Sequence, residues 1–77
     1  MGDCKSIVIV GAGGLGREVL ATIEASNAAG GEWNVVGFLD SNRNLVGSEL
    51  AGVRILGDDE WCARNRDDSL RFICAIG

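Results

Sequence analysis

The segment IVIVGAGGLGREVL, Ile7 to Leu20, decides how this chain is read. Ile7, Val8, Ile9 and Val10 are all β-branched and run without a polar break, which predicts a strand over residues 5–10 covered on both faces. The strand feeds a G-x-G-x-x-G turn made by Gly11, Gly13 and Gly16, with Gly14 a further glycine inside it. Behind the turn, Leu15, Val19, Leu20 and Ile23 recur at helical spacing while Arg17, Glu18 and Glu24 fall on the other face. Strand, glycine turn and helix in that order build an anion pocket. Gly11 permits the sharp turn, Gly13 lets main-chain N–H groups approach a phosphate, and Gly16 lets the helix lie close on the sheet. The unpaired N–H groups and positive dipole end of the helix then face the anion. The competing reading is a strand-to-helix corner with no ligand. Three glycines in one turn cost backbone entropy, which argues for a main chain that must come close to something.

Outward from this segment, the helix is expected from Gly14 to about Ala29 and ends at Gly30-Gly31. WNVVGFLD, Trp33 to Asp40, reads as a second strand, and Gly37 within it marks a place where another backbone comes close. Residues 41–52 carry turn formers and scattered apolar positions, which predicts a loop with one helical turn. Val53 to Gly57 is a short third strand. A helix follows to about Arg66, with Asp58, Asp59 and Glu60 at its start and Arg64 and Arg66 at its end, as the helix dipole prefers. Phe72 to Ile76 is a fourth strand, closed by Gly77. Strands that are apolar throughout, alternating with helices, imply an α/β, Rossmann-like three-layer half-domain. Its sheet would be parallel and four-stranded, in the order 3-2-1-4. The expectation is one domain over residues 1–77, a fragment of a longer protein. The uncovered fourth strand of such a fragment would pair with its symmetry mate in a two-fold dimer.

A chain of 77 residues is a marginal domain, since about 60% of the unfolded surface is buried at such a length. Its 47% apolar content and interleaved charges fit a folded domain. The net charge of −4 leaves no basic patch for a nucleic-acid backbone. No apolar run is long enough to span a membrane, and the N-terminus lacks a signal-peptide pattern, so a cytoplasmic location without membrane or nucleic-acid partners is expected. Cys4, Cys62 and Cys74 have no metal-ligand spacing and the chain has no histidine, which argues against a zinc site. Cys62 and Cys74 lie in apolar patterns and read as reduced core thiols. Ser6, Ser41 and Ser48 have no histidine to activate them, so no catalytic residue is assigned. Trp33 and Trp61 could stack on a base, but burial of one or both against the sheet is favoured. Arg17 is read equally as a phosphate contact or an exposed helix arginine.

Asp40 has two readings, a solvated strand-end acid or a nucleotide ligand. It stands 24 residues after Gly16, where the acid of a second Rossmann strand bonds a ribose, and this favours the ligand role. Asp58, Asp59 and Glu60 are explained by helix capping. The glycine spacing and Asp40 also suit an NAD-binding portion of an oxidoreductase, the alternative kept here. A dinucleotide normally spans two mononucleotide halves, however, and this chain has one.

Four pieces in this order, IVGAGGLGREV (9–19), VVGFLD (35–40), VGSELAGVRILG (46–57) and AIG (75–77), resemble one particular family. It is the N-terminal nucleotide-sugar-binding domain of bacterial sugar acetyltransferases, of the sialic-acid O-acetyltransferase and amino-sugar N-acetyltransferase kind. The resemblance implies that Gly11, Gly13, Gly14 and Gly16 cradle the diphosphate of a UDP-sugar, that Asp40 holds the uridine end, and that Gly77 begins a loop lining the same crevice. It implies no cofactor on this chain. Acetyl-CoA would be bound by a left-handed β-helix domain, which in that family follows, trimerises and supplies a catalytic histidine. That family commonly has histidine where this chain has Leu15. Leucine has no hydrogen-bond donor, so either the sugar contact differs or the acceptor does.

Overall fold

The structure is a computed structural model that describes residues 5–65 and 69–75. Strand β1, Lys5–Val10, sits where its sequence demands cover on both sides: Val8 and Ile9 point to opposite faces and both are fully buried. On one side it pairs in parallel with β2, Trp33–Leu39. Between them runs α1, Gly14–Ala28, whose Gly16, Leu20 and Ile23 face the sheet. A 3-10 turn at Arg43–Leu45 then leads to β3, Glu49–Leu50, and β4, Val53–Gly57. Helix α2, Asp59–Arg64, and β5, Leu70–Cys74, complete the described chain, with β5 parallel to β1 on its other side.

The sheet order is β3-β4-β2-β1-β5. The result is a mixed α/β fold with a mostly parallel sheet, compatible with the Rossmann-like class. The expected four parallel strands keep their relative order, but the sheet has five strands rather than four. The addition is β3, antiparallel to β4, inside the stretch expected to be loop. A two-residue turn makes it possible: Ala51 (φ 53°) and Gly52 (φ 83°) both adopt positive φ, the condition for the hairpin turn whose twist suits its strands. Alanine is an unusual occupant of that position, which is why the turn leaves little trace in the sequence.

The core joins Ile7, Ile9, Leu20, Ile23, Phe38 and Ile55 beneath α1. The opposite face holds Val8 and Leu39, and α2 lies on that side. In register, Val8 stands beside Phe72, and the Trp61 ring of α2 meets the Phe72 ring edge-on at 6.5 Å. Because α2 spans only 6 residues, it covers little of β5. Phe72 is 38% exposed and Cys74 is exposed, so this strand is not apolar-buried throughout, and it begins two residues earlier than expected because its register follows β1. Cys62 is only half-buried and Cys74 is on the surface, which corrects their assignment as core thiols. Trp33 and Trp61 are each half-buried.

The joints around α1 are tightly specified. Its C-terminus closes in a Schellman motif: Gly30, at φ 107°, donates to the Asn27 carbonyl (3.1 Å) and Gly31 to the Ser26 carbonyl (2.8 Å). The Asn27 side chain then grips the start of β2, donating to the Trp33 carbonyl at 2.8 Å and accepting from the Trp33 N–H at 2.9 Å. Gly37 meets its expectation of close approach. A Cβ there would lie 2.7 Å from the Arg54 carbonyl oxygen of β4. No helix among the described residues is long and apolar enough to cross a membrane.

Candidate functional site

Parallel strands deliver their C-terminal ends to one edge of the sheet, and a topological switch point there is the general place for a ligand. Here the chain leaves β1 toward β2 on one side and returns to β5 on the other. The glycine turn lies at that divide. Its base is held from both neighbours: the Gly11 N–H donates to the Leu39 carbonyl and the Ala75 N–H donates to the Val10 carbonyl, each at 2.7 Å.

Each glycine of the turn has its own surroundings. Gly11 has φ 109°, a conformation glycine takes without steric cost. Gly16 is buried, and a Cβ there would collide with the Gly11 carbonyl and stand 3.3 Å from Phe38 Cε1. It is the close-packing glycine that the sequence implied. Gly13 and Gly14 are exposed, and a Cβ at either would meet nothing within 4 Å. That open side is the helix N-terminus. Gly13 is the N-cap with no side chain to offer, no acidic residue stands in the first turn, and the Arg17 N–H closes the first helical bond to the Gly13 carbonyl at 3.1 Å. The amides of Gly14, Leu15 and Gly16 precede that first bond and lack intrahelical acceptors. Leu15 is 42% exposed instead of joining the helix core, and its side chain leaves the space over Gly13 empty. Arg17 is exposed on the helix.

Asp40 follows β2 directly and reaches the turn. Its Oδ2 accepts from the Ala12 N–H at 3.0 Å, and its Oδ1 accepts from the Asn42 N–H at 2.9 Å. Its own N–H donates to the Gly57 carbonyl at the end of β4 (3.0 Å), so the ends of β2 and β4 and the glycine turn are tied together. The structure therefore brings Gly11, Gly13, Gly14, Leu15, Gly16 and Asp40 to one edge. Gly77 lies outside the described residues, as do Cys4 and Arg66.

At the rim, Asp58 caps α2 by accepting from the Glu60 N–H at 3.1 Å. It also accepts from Arg43 Nε at 2.9 Å, while Arg43 Nη2 lies 3.9 Å from Glu60. The Glu60 amide and then the Arg43 guanidinium hold the Asp58 carboxyl below its ordinary value. Ser41, Arg43, Asp58 and Glu60 line a shallow hollow beside the site. Sequence reading explained Asp58 as a cap but missed the Arg43 link, because the two residues are 15 positions apart in unrelated elements. The partnership of Ala12 with Asp40 was missed for a further reason: its donor is a main-chain amide, which no residue type announces. Among the described residues, no three His, Cys, Asp or Glu side chains gather as a metal site would require.

Comparison with protein families shows that residues 6–77 fit the family model described as the PglD N-terminal domain. No curated protein matches the chain.

Proposed function

Since the chain belongs to the PglD N-terminal-domain family, the N-terminal domain of PglD-type acetyltransferases, we propose that it holds the nucleotide-sugar acceptor of a sugar acetyltransferase. In this reading the diphosphate of a UDP-sugar rests on the turn formed by Gly11, Gly13, Gly14 and Gly16, with the uridine end on the Asp40 side and Leu15 beside the sugar. One observation supports it above the rest: the N-terminus of α1 is left without a capping side chain or a first-turn acid, behind two glycines whose outward side is open. An anion there would satisfy amides that the protein leaves to solvent. Acetyl-CoA would supply the acyl group in the complete reaction. The chain has no histidine to act as the family's catalytic base, and no step through acetyl-CoA is assigned to its residues.

Family membership favours this over the oxidoreductase alternative, which rested on the glycine spacing and Asp40 alone. Calorimetric titration with UDP, a UDP-amino sugar and NAD separates the two. Heat with the UDP ligands and none with NAD is the expected result, and the reverse would overturn the proposal. In a Gly13→Val variant the new side chain projects into the open space, so UDP affinity should fall while the melting temperature holds. Undiminished affinity would move the phosphate elsewhere.

A further inference from the structure

The double engagement of Asp40 goes beyond a ligand role. If the turn holds a diphosphate, as proposed above, we infer that Asp40 is a positioning residue. Its carboxylate sets the orientation of the glycine turn through the Ala12 amide, and so acts on the phosphate rather than on the ribose alone.

Three observations carry this. The carboxylate joins two separate loops, since Oδ2 takes the Ala12 N–H and Oδ1 takes the Asn42 N–H. Ala12 is 8% exposed and sits between Gly11 and Gly13, so its amide is a second handle, beyond the Gly11 bond to Leu39, by which the turn is held from the β2 side. The flanking glycines have no side chains to restrict them, and this tie offsets the backbone freedom that they introduce. The residue type follows from the chemistry. Two N–H donors converge on one side chain, and a carboxylate offers an acceptor to each. An asparagine offers one acceptor and sets its NH₂ against the second donor. The same bond draws the Ala12 amide away from the outward set. The amides left to face a phosphate include those of the first helical turn, which the tie holds in place.

The test uses this chain and two probes, inorganic pyrophosphate and UDP, titrated calorimetrically well below the melting temperature into the wild type, the near-isosteric Asp40→Asn and Asp40→Ala. Pyrophosphate has no ribose to lose. The positioning role requires Asp40→Asn to weaken both probes by a similar factor, about tenfold for one lost charge-assisted hydrogen bond, and Asp40→Ala to weaken them at least as much. A ribose contact alone would weaken UDP and leave pyrophosphate unchanged. A contribution to stability alone would lower the melting temperature and leave both affinities of the folded variants unchanged. Either result overturns the inference while the anion site stands. A wild type that binds neither probe removes the proposed function, and the inference with it.

Discussion

Gly16→Ala tests the joint between β1 and α1 most directly. The added methyl would be driven against the Gly11 carbonyl, with the carbonyl carbon at 3.1 Å and Phe38 Cε1 at 3.3 Å. Neither neighbour has room to yield. Gly11 is pinned by its bond to Leu39 at φ 109°, and the Phe38 ring is fully buried. The helix must therefore move outward and loosen its hold on the core under Leu20 and Ile23. Overpacking costs about 1–3 kcal/mol, and a main-chain obstacle belongs at the upper end. Alanine returns about 1 kcal/mol through its better helix propensity, which leaves a net loss of about 2 kcal/mol. For a domain of this size that lowers the melting temperature by roughly 8–16 °C. Thermal melts followed by far-UV circular dichroism, with urea midpoints as a second measure, give the comparison. Gly14→Ala is the control: the same chemistry at an open position of the helix's first turn should leave stability unchanged or raise it by up to about 1 kcal/mol. A Gly16→Ala melt within about 2 °C of wild type, or an equal loss in the control, would refute the packing argument.

Three further outcomes follow from the joints elsewhere. Gly37→Ala places a methyl against the Arg54 carbonyl and the Leu56 side chain, and should lower the urea midpoint by an amount worth about 1–3 kcal/mol. Ala51→Asn puts a residue tolerant of positive φ into the β3–β4 turn and should raise stability by about 0.5–1 kcal/mol; a loss would mean that the hairpin is not formed. Asp58→Ala removes the α2 cap and the Arg43 partner. Because the folded protein holds this carboxyl below its ordinary value, its contribution is present above the unfolded carboxylate range and disappears as pH falls through the folded value. The melting difference between wild type and Asp58→Ala should thus be largest near neutral pH and shrink in acid. A difference that grows on acidification would contradict the assignment.

Much of the frame was legible because it is written in side-chain pattern. The β-branched run placed β1 to the residue, the spacing of Leu20 and Ile23 placed α1, and the glycines at 11 and 16 announced a turn that other residues could not make. What stayed hidden depends on main-chain geometry or on distance in the chain. The hairpin at Ala51-Gly52 lacks the asparagine that usually marks it, and β3 has two residues, too few for a period to emerge. Leu15 fits the helical spacing yet lies at the exposed start of α1, where the sheet no longer covers it. Cys74 sits in an apolar run, but its cover depends on the length of α2, which the strand's own residues do not encode. For the candidate site, the glycine turn and the strand-end acid could be named from the sequence, whereas the tie from Asp40 to Ala12 required the fold to bring the two loops together.

The central place of β1 bears on how the protein is made. Strand β1 leaves the ribosome ahead of both its partners and finds its β2 neighbour early, but its other edge waits for β5, since Ser6 pairs with Leu70 and Val10 with Cys74. At about 5–20 residues per second, translation leaves that edge unpaired for several seconds. During this interval a run of four β-branched residues is a sticky template for other nascent chains. Expression yield should therefore depend more on temperature and chaperone supply than the finished domain's stability alone would imply.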